Sequence, residues 1–126
     1  MIILDTDVLI ETRARKSEKG DEALQRIRQS REDVAITAIN LHEILYGLWK
    51  FDRPVKEAML LPTLNYTGRD AALSSKIELE KEKTGKPIRR ADAMIAAITI
   101  NNGATLFTLD SKHFSPLRSL GLKLFT

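Results

Sequence analysis

The sequence predicts an α/β fold of three layers, in which helices flank a mainly parallel sheet. Short apolar runs of strand length alternate along the chain with longer segments whose apolar residues recur at helical spacing. Few of the two-residue turn signals that join antiparallel strands lie between these runs. Because parallel strands need a crossover connection, usually a helix, the alternation favours a parallel sheet.

The first part of the chain is predicted to hold two strands and two helices. The apolar runs at residues 2–4 and 34–36 have the length and composition of short buried strands. A helix is expected to begin near Val8. A polar loop over residues 15–20 then separates it from a second helix over 21–29.

A third helix, a short fourth helix and a third strand are predicted next. Thr37 is a suitable N-cap, and the helix after it has an apolar stripe formed by Leu41, Ile44, Leu45 and Leu48. Pro54 marks a turn, and a short helix is expected to run to Met59. Residues 64–66 are predicted to form the third strand.

The last third of the chain is predicted to hold two long helices and two strands. Thr67 and Asp70 form a capping-box pattern that opens a helix. The run 91–100 is apolar around most of its circumference, which predicts a helix covered on several sides. Strands are expected at 104–109 and at 122–125.

Length and composition limit the function classes. The 126 residues predict one domain over 1–126. No run of eighteen apolar residues is present and the first residues do not form a signal peptide, so a cytoplasmic protein with no membrane partner is expected. The absence of cysteine excludes thiolate metal sites. A net charge of +3 and a pI near 9.3 favour a polyanionic partner.

Four carboxylates lie in otherwise apolar surroundings: Asp5, Glu43, Asp92 and Asp110. Asp5 and Asp110 follow predicted strands, Glu43 lies in the helix after Thr37, and Asp92 opens the apolar helix. In a parallel sheet, strand ends and the starts of the following helices meet at the same edge. Each acid has a structural explanation as a helix cap or turn residue, but four such residues at one edge favour a single site.

Carboxylates that converge repel one another unless a cation lies between them. Oxygen-only ligands suit Mg²⁺ or Mn²⁺. Such an ion activates water and stabilises charge on a phosphate. A basic protein with an acidic metal site therefore fits phosphodiester hydrolysis.

Four stretches resemble the motifs of the PIN-domain ribonucleases, and among these of the VapC-type toxins of toxin–antitoxin pairs. They are ILDTDVL at 3–9, TAINLHEILYG at 37–47, DAMIAA at 92–97 and LFTLDSKHF at 106–114. The resemblance covers nearly the whole chain. It implies a PIN-like doubly wound sheet, an Mg²⁺- or Mn²⁺-dependent endoribonuclease, a homodimer, and an antitoxin whose tail covers the active site. One departure is Asp7, where such toxins more often carry asparagine or serine.

On this basis Asp5 and Asp92 are predicted to bind the metal directly, and Glu43 and Asp110 to complete the pocket or hold a water. Thr108 is expected to orient a carboxylate or a phosphate oxygen, and Thr6 to offer its N–H or hydroxyl for the same purpose. The metal-activated water would cut RNA without using the 2′-hydroxyl.

Other residues have less specific interpretations. The arginines predicted to contact the RNA backbone are Arg13, Arg15, Arg89 and Arg90, although each also suits a solvated surface. His42 is expected to point away from the site, and His113 to pack against or cap the last turn. Tyr46, Trp49 and Phe51 suit either a partner surface or core packing.

Two alternative functions remain open from the sequence. One is a nucleic-acid-binding or antitoxin-sequestering protein without catalysis. The other is a small haloacid-dehalogenase-like phosphatase, because Asp5-Thr6-Asp7-Val8 resembles the aspartyl nucleophile motif of that family. The chain has no downstream Gly-Asp acidic motif after Gly20-Asp21, which disfavours the phosphatase.

Overall fold

A four-stranded, fully parallel sheet forms the centre of the fold, with strand order β3-β2-β1-β4. The computed structural model describes residues 1–126, except for the side chain of Ala14. The strands are β1 (Ile2–Leu4), β2 (Val34–Thr37), β3 (Thr63–Leu64) and β4 (Thr105–Phe107). All three residues of β1 are buried, as expected for a parallel strand covered on both faces.

Helices connect the strands and cover both faces of the sheet. They are α1 (Thr6–Leu9), which continues into a π-helical turn (Ile10–Ala14), α2 (Glu18–Ser30), α3 (Ala38–Lys50), α4 (Lys56–Met59), α5 (Gly68–Lys83), α6 (Arg90–Asn101), α7 (Ser111–Phe114) and a 3₁₀-helix (Ser115–Leu120). Thr37 with Asn40, and Thr67 with Asp70, form capping boxes that begin α3 and α5, so both predicted caps are confirmed.

The apolar core has two parts, one on each face of the sheet. Side chains alternate along β1, so Ile3 packs with residues of α5 and α6, whereas Ile2 and Leu4 pack with α1 and α2. The middle of α6 is completely buried, from Ile95 to Ile98. The predicted three-layer architecture and the predicted all-round burial of this helix are therefore confirmed.

The backbones of α2 and the π-helical turn approach each other closely at Gly20. A Cβ atom at this position would lie 2.1 Å from the Glu11 carbonyl oxygen. Only glycine fits without displacing the backbone, so this close approach fixes where the π-helical turn lies relative to α2.

Several predicted boundaries are wrong. The expected fifth strand is an isolated bridge between Leu124 and Leu106, made by two backbone hydrogen bonds, so it is too short for a strand. β3 occupies Thr63–Leu64 instead of 64–66. The predicted loop over 15–20 ends early, because the Ser17 hydroxyl accepts from the Gly20 N–H and begins α2 at Glu18.

No helix in the part of the chain that the structure describes is long and apolar enough to cross a membrane.

Candidate active site at the carboxyl edge of the sheet

Asp5 occupies the position directly after the central strand β1 and is the N-cap of α1. Its side chain is 9% exposed. Three neutral groups donate to the carboxylate: the Thr6 N–H at 2.9 Å, the Asn40 amide at 3.3 Å and the Thr108 hydroxyl at 2.9 Å. Asp5 is therefore fixed in orientation by hydrogen bonds from α1, α3 and the end of β4.

The pKa of Asp5 is raised from 3.8 to about 6. Burial is the largest cause, followed by repulsion from Asp7, and Asp92 adds a smaller repulsion. The hydrogen bonds from Thr108 and Thr6 lower the pKa but do not offset these effects. Asp5 is thus a buried acid that lacks a cationic partner strong enough to keep its pKa low.

Glu43 is connected to Asp5 through a relay of two side chains. The buried Asn40 amide donates to Asp5 Oδ1 and, at 3.1 Å, to the Thr6 hydroxyl, which donates in turn to Glu43 Oε1 at 2.8 Å. The Asn40 carbonyl oxygen accepts from Thr37. Asn40 is thus fully hydrogen-bonded, so the capping box of α3 also positions the two acids.

Asp92 lies in the first turn of α6 and is 3% exposed. Two side chains contact its Oδ2: Arg89 Nε at 2.9 Å and His113 Nε2 at 2.7 Å. The pKa of Arg89 is raised, mainly by its hydrogen bond with Asp92 and the charge of that residue, with smaller effects from Glu43 and Asp5. The guanidinium therefore lies in the combined negative field of three of the four predicted site acids.

Asp7 and Asp110 belong to the rim of this site. The Asp7 carboxylate accepts from the Leu109 N–H at 3.1 Å, which ties α1 to the segment after β4. Burial raises the pKa of Asp7, and repulsion from Asp110 adds a smaller effect. Asp110 is exposed, and its carboxylate caps α7 by accepting from the His113 N–H at 3.3 Å.

The structure brings together most of the residues predicted from the sequence. Asp5, Glu43 and Asp92 lie in one region, with Thr6 and Thr108 holding two of them. Asp7 joins the start of α1 to the segment after β4 through the Leu109 N–H. Asp110 lies nearby with its carboxylate engaged as a helix cap.

The four arginines that were predicted to contact RNA have three different kinds of surroundings. Arg89 contacts Asp92, as described above. Arg90 makes two hydrogen bonds to Glu78, at 3.0 and 3.1 Å. Arg13 and Arg15 lie along a groove beside the site.

Two positioning residues were missed by the sequence interpretation. Asn40 was treated as part of a motif, and His113 was predicted to pack against or cap the last turn. The His113 backbone does take part in the cap, but its ring reaches Asp92. The available sequence signal for His113 was its place three residues after Asp110, which puts it on the first turn of a helix at the site edge. His42 is exposed on α3, and no contact of its ring with the site acids occurs among the described residues.

A groove of about 610 Å³ extends from Thr6 and Glu43 between α1, the π-helical turn, α3 and α4. Its walls are largely apolar, and its basic residues are Arg13, Arg15, Arg53 and Lys56. Gly47 lines the groove, and a Cβ there would meet no described atom within 4 Å. The absence of a side chain at Gly47 therefore leaves the groove open.

The site residues fit the predicted metal in their donor chemistry but not in their present spacing. In the described residues, no three His, Asp or Glu side chains meet closely enough to hold an ion as they stand. The donor chemistry nevertheless fits Mg²⁺ or Mn²⁺, because the acids offer only oxygen ligands. Burial and repulsion from Asp7 raise the pKa of Asp5, and a bound cation would favour its charged form. Arg89 and His113 contact Asp92 Oδ2, whereas Oδ1 has one longer contact, from Arg89 Nη2 at 3.4 Å.

The fold and site define a small parallel α/β protein with buried acids at the carboxyl edge of its sheet. The sequence matches the PIN domain family over residues 2–117. The chain therefore belongs to the PIN domain family, which confirms the resemblance seen in the four motifs.

Similar proteins support this assignment. The chain is 30% identical to Ribonuclease VapC1 of Methanocaldococcus jannaschii over 132 aligned positions, which cover 98% of this chain and 86% of that protein. Among solved structures, DNA-bound VapBC from Salmonella typhimurium has a TM-score of 0.82 and 27% identity, with 98% of this chain and 96% of that chain covered. VapBC2 from Rickettsia felis, bound to a DNA fragment from its promoter, has a TM-score of 0.78 and 22% identity, and both chains are covered completely.

Proposed function

We propose that this protein is an endoribonuclease that hydrolyses RNA phosphodiester bonds with the help of Mg²⁺ or Mn²⁺, and that it acts as the toxin of a toxin–antitoxin pair. The observation that carries this proposal is the pair of buried carboxylates Asp5 and Asp92 at the carboxyl edge of the sheet in a PIN-domain chain. The ribonuclease name of the M. jannaschii relative and the VapBC complexes among the similar structures support it.

In this proposal Asp5 and Asp92 hold the metal, and Glu43 and Asp110 complete the pocket. When bound, the divalent ion would supply the positive charge that lets an acidic pocket accept a phosphodiester and would activate water for hydrolysis. Asn40, Thr6 and Thr108 fix the orientations of Asp5 and Glu43 before substrate arrives. Such preorganisation avoids a reorganisation cost during the reaction.

Arg89 has two possible targets in this arrangement. In the structure it neutralises Asp92. Its side chain is 73% exposed, so it can turn toward solvent and contact an RNA phosphate. A guanidinium can bind phosphate through two parallel hydrogen bonds. We propose that Arg89 exchanges Asp92 for the RNA backbone when substrate binds.

The decisive experiment is incubation of the purified protein with RNA, with and without Mn²⁺, and with a chelator. Cleavage that requires Mn²⁺ and leaves a 5′-phosphate and a 3′-hydroxyl is expected. A 2′,3′-cyclic phosphate product would refute hydrolysis by water. RNA binding without cleavage would indicate a non-catalytic protein, and hydrolysis of a small phosphomonoester but not of RNA would favour the phosphatase alternative.

We further propose that the groove receives a segment of the antitoxin. Its mainly apolar walls suit the apolar side chains of a peptide, and its basic residues suit an acidic one. Three aromatic side chains at the end of α3 are 63–70% exposed, namely Tyr46, Trp49 and Phe51. Exposed aromatic residues beside a groove are typical of protein interfaces.

Gly47→Leu tests this role of the groove. The leucine would fill open space, so the fold should be retained while the antitoxin that co-purifies with the wild-type chain is lost. Gly68→Leu is the matched control, because a Cβ there also meets no described atom within 4 Å and Gly68 does not line the groove. Unchanged co-purification with Gly47→Leu would remove the groove from the interface.

A homodimer is also proposed, from the resemblance to the VapC-type toxins. Analytical ultracentrifugation of the purified chain tests it. A single species at the mass of one chain, 14.2 kDa, across the accessible concentration range would contradict it.

A further inference from the structure

A second cavity, of about 190 Å³, opens beside the acidic site. Ile88 and Leu117, both buried, contribute to its apolar floor, and three lysines lie around it: Lys81 near the end of α5, Lys86 after it and Lys112 in α7. At about 30 Å³ per water molecule, the cavity has the volume of roughly six waters, which is enough for a phosphate group and part of its hydration.

The three lysines form no ion pair with any described residue. No acidic side chain lines the cavity. None of the ion pairs between described residues includes Lys81, Lys86 or Lys112, whereas Arg89 and Arg90 both have carboxylate partners. Three like charges around one small cavity repel one another, so an anion bound there would relieve that repulsion.

His113 connects this lysine pocket to the acidic site. His113 lines the cavity, and its Nε2 lies 2.7 Å from Asp92 Oδ2. The lysine pocket and the acids are therefore separated by one imidazole ring. On the other side of the acids, the groove begins at Thr6 and Glu43. The acidic site thus lies between two cavities with basic residues.

We propose that the lysine pocket binds a phosphate of the RNA strand adjacent to the one that is cut. The inference rests on the proposed ribonuclease function and adds to it the path of the strand, which would run from the groove across Asp5 and Asp92 to the lysine pocket. A phosphate suits this pocket better than a peptide does, because the cavity is small and carries three cations. The larger apolar groove is the better peptide site.

The test compares two triple variants that remove the same charge. In the first, Lys81, Lys86 and Lys112 are changed to Gln. In the second, the control, three exposed lysines outside both cavities are changed to Gln: Lys76, Lys83 and Lys123. Binding of a fluorescent single-stranded RNA is measured by anisotropy at several salt concentrations, with a chelator present so that the RNA stays intact.

The pocket variant should bind RNA more weakly than the control variant at low salt. Its salt dependence should also be shallower, by about 0.7 in the slope of log K against log salt for each RNA phosphate that the variant no longer binds. Circular dichroism establishes that both variants are folded. In Mn²⁺-dependent cleavage of the same RNA, the pocket variant should raise KM and leave kcat unchanged, because the lysines do not touch the acids.

Equal slopes for the two triple variants would overturn the proposal, because net charge alone would then explain the effect. Polyglutamate serves as a peptide probe: if the pocket variant loses polyglutamate binding but keeps the control's affinity for RNA, the pocket is a peptide site and the proposal is wrong. A wild-type protein that neither binds nor cleaves RNA would instead refute the proposed ribonuclease function.

Discussion

The two buried aspartates of the site are satisfied in different ways. Asp5 accepts hydrogen bonds from neutral groups of Thr6, Asn40 and Thr108, and burial together with Asp7 and Asp92 raises its pKa to about 6. Asp92 contacts the guanidinium of Arg89 and the ring of His113. Neutral donors complete the hydrogen bonding of a carboxylate, whereas only a cation cancels its charge.

This difference follows from where each residue lies in the fold. Asp5 follows β1, an inner strand with β2 and β4 on either side, and is 9% exposed. Asp92 is in the first turn of α6, so a residue three positions earlier, at the N-cap position, reaches it from solvent. Asp5 therefore has only neutral hydrogen-bond donors around it, whereas Asp92 has a cationic partner, Arg89.

The largest expected effect is the loss of cleavage in Asp5→Asn and in Asp92→Asn. Removing either charge should lower the rate of RNA cleavage with Mn²⁺ by at least about 100-fold, because metal-ion catalysis supplies several kcal/mol of charge stabilisation. Initial rates on a labelled RNA measure this. Asp33→Asn, in an exposed loop, is the control. A folded Asp92→Asn protein with full Mn²⁺-dependent activity would remove Asp92 from the site.

Much of the fold was predictable because local signals determine it. The caps Thr37 and Thr67, the apolar run of β1 and the largely apolar α6 can each be recognised from a few neighbouring residues. The alternation of strands and helices also determines which ends of the elements meet at one edge of the sheet. This is why Asp5, Glu43 and Asp92 were predicted to lie together. The contact of His113 with Asp92 was missed, because it spans 21 residues in sequence and depends on how a four-residue helix lies against α6.

The prediction of a fifth strand is wrong for a related reason. Residues 122–125 have a strand-like composition, but whether they pair over one residue or four depends on the path of the chain after the 3₁₀-helix. Composition alone does not determine that path. Short segments with mostly tertiary contacts are therefore the part of this fold that sequence patterns describe least well.

The second largest expected effect is on the free energy of unfolding, to which Asp5 and Asp92 contribute with opposite signs. Asp5 binds a proton in the folded state up to about pH 6, and in the unfolded state only up to about its usual pKa of 3.8. The folded protein thus binds more protons between these values, so stability falls as pH rises through them. Each pKa unit corresponds to about 1.4 kcal/mol, so the ionised Asp5 destabilises the fold by roughly 3 kcal/mol at neutral pH.

Asp5→Asn removes that penalty. Its amide oxygen can accept from Thr6 and Asn40, and its NH₂ group can donate to the Thr108 hydroxyl, which reverses the direction of that hydrogen bond. In the presence of a chelator, the variant should be more stable than the wild type by up to roughly 3 kcal/mol near pH 7. The gain should vanish near pH 4, where Asp5 is protonated in the folded wild type. Urea denaturation at both pH values measures the difference. A variant that is less stable than the wild type near neutral pH would contradict the cause given for the raised pKa.

Asp92→Asn should lower the free energy of unfolding, which is the opposite of the effect of Asp5→Asn, and by a smaller amount. The change leaves Arg89 without its anionic partner and weakens the hydrogen bond with His113. Hydrogen bonds to charged groups contribute about 1.5–3 kcal/mol when buried, and less here because Arg89 is largely exposed to solvent. We expect a loss of about 1 to 2 kcal/mol in the same urea experiment at neutral pH. A change in the same direction for both Asn variants would contradict the claim that neutral donors and a cation affect the two aspartates differently.

The smallest expected effect concerns competition between Arg89 and the metal. In Arg89→Gln the cation that contacts Asp92 is absent, so an incoming Mn²⁺ has no guanidinium to displace. The exposed ion pair is worth about 0.2 to 1 kcal/mol, which corresponds to Mn²⁺ binding that is tighter by about 1.4- to fivefold. Isothermal titration calorimetry with Mn²⁺ alone measures this without RNA.

Arg90→Gln is a closely matched control for this competition. Arg90 is the next residue, its side chain is 74% exposed against 73% for Arg89, and it pairs with Glu78 instead of a site acid. Equal Mn²⁺ affinity in the two variants would mean that Arg89 does not occupy the metal's place. Tighter binding in Arg89→Gln alone would show that Arg89 competes locally with the metal for Asp92.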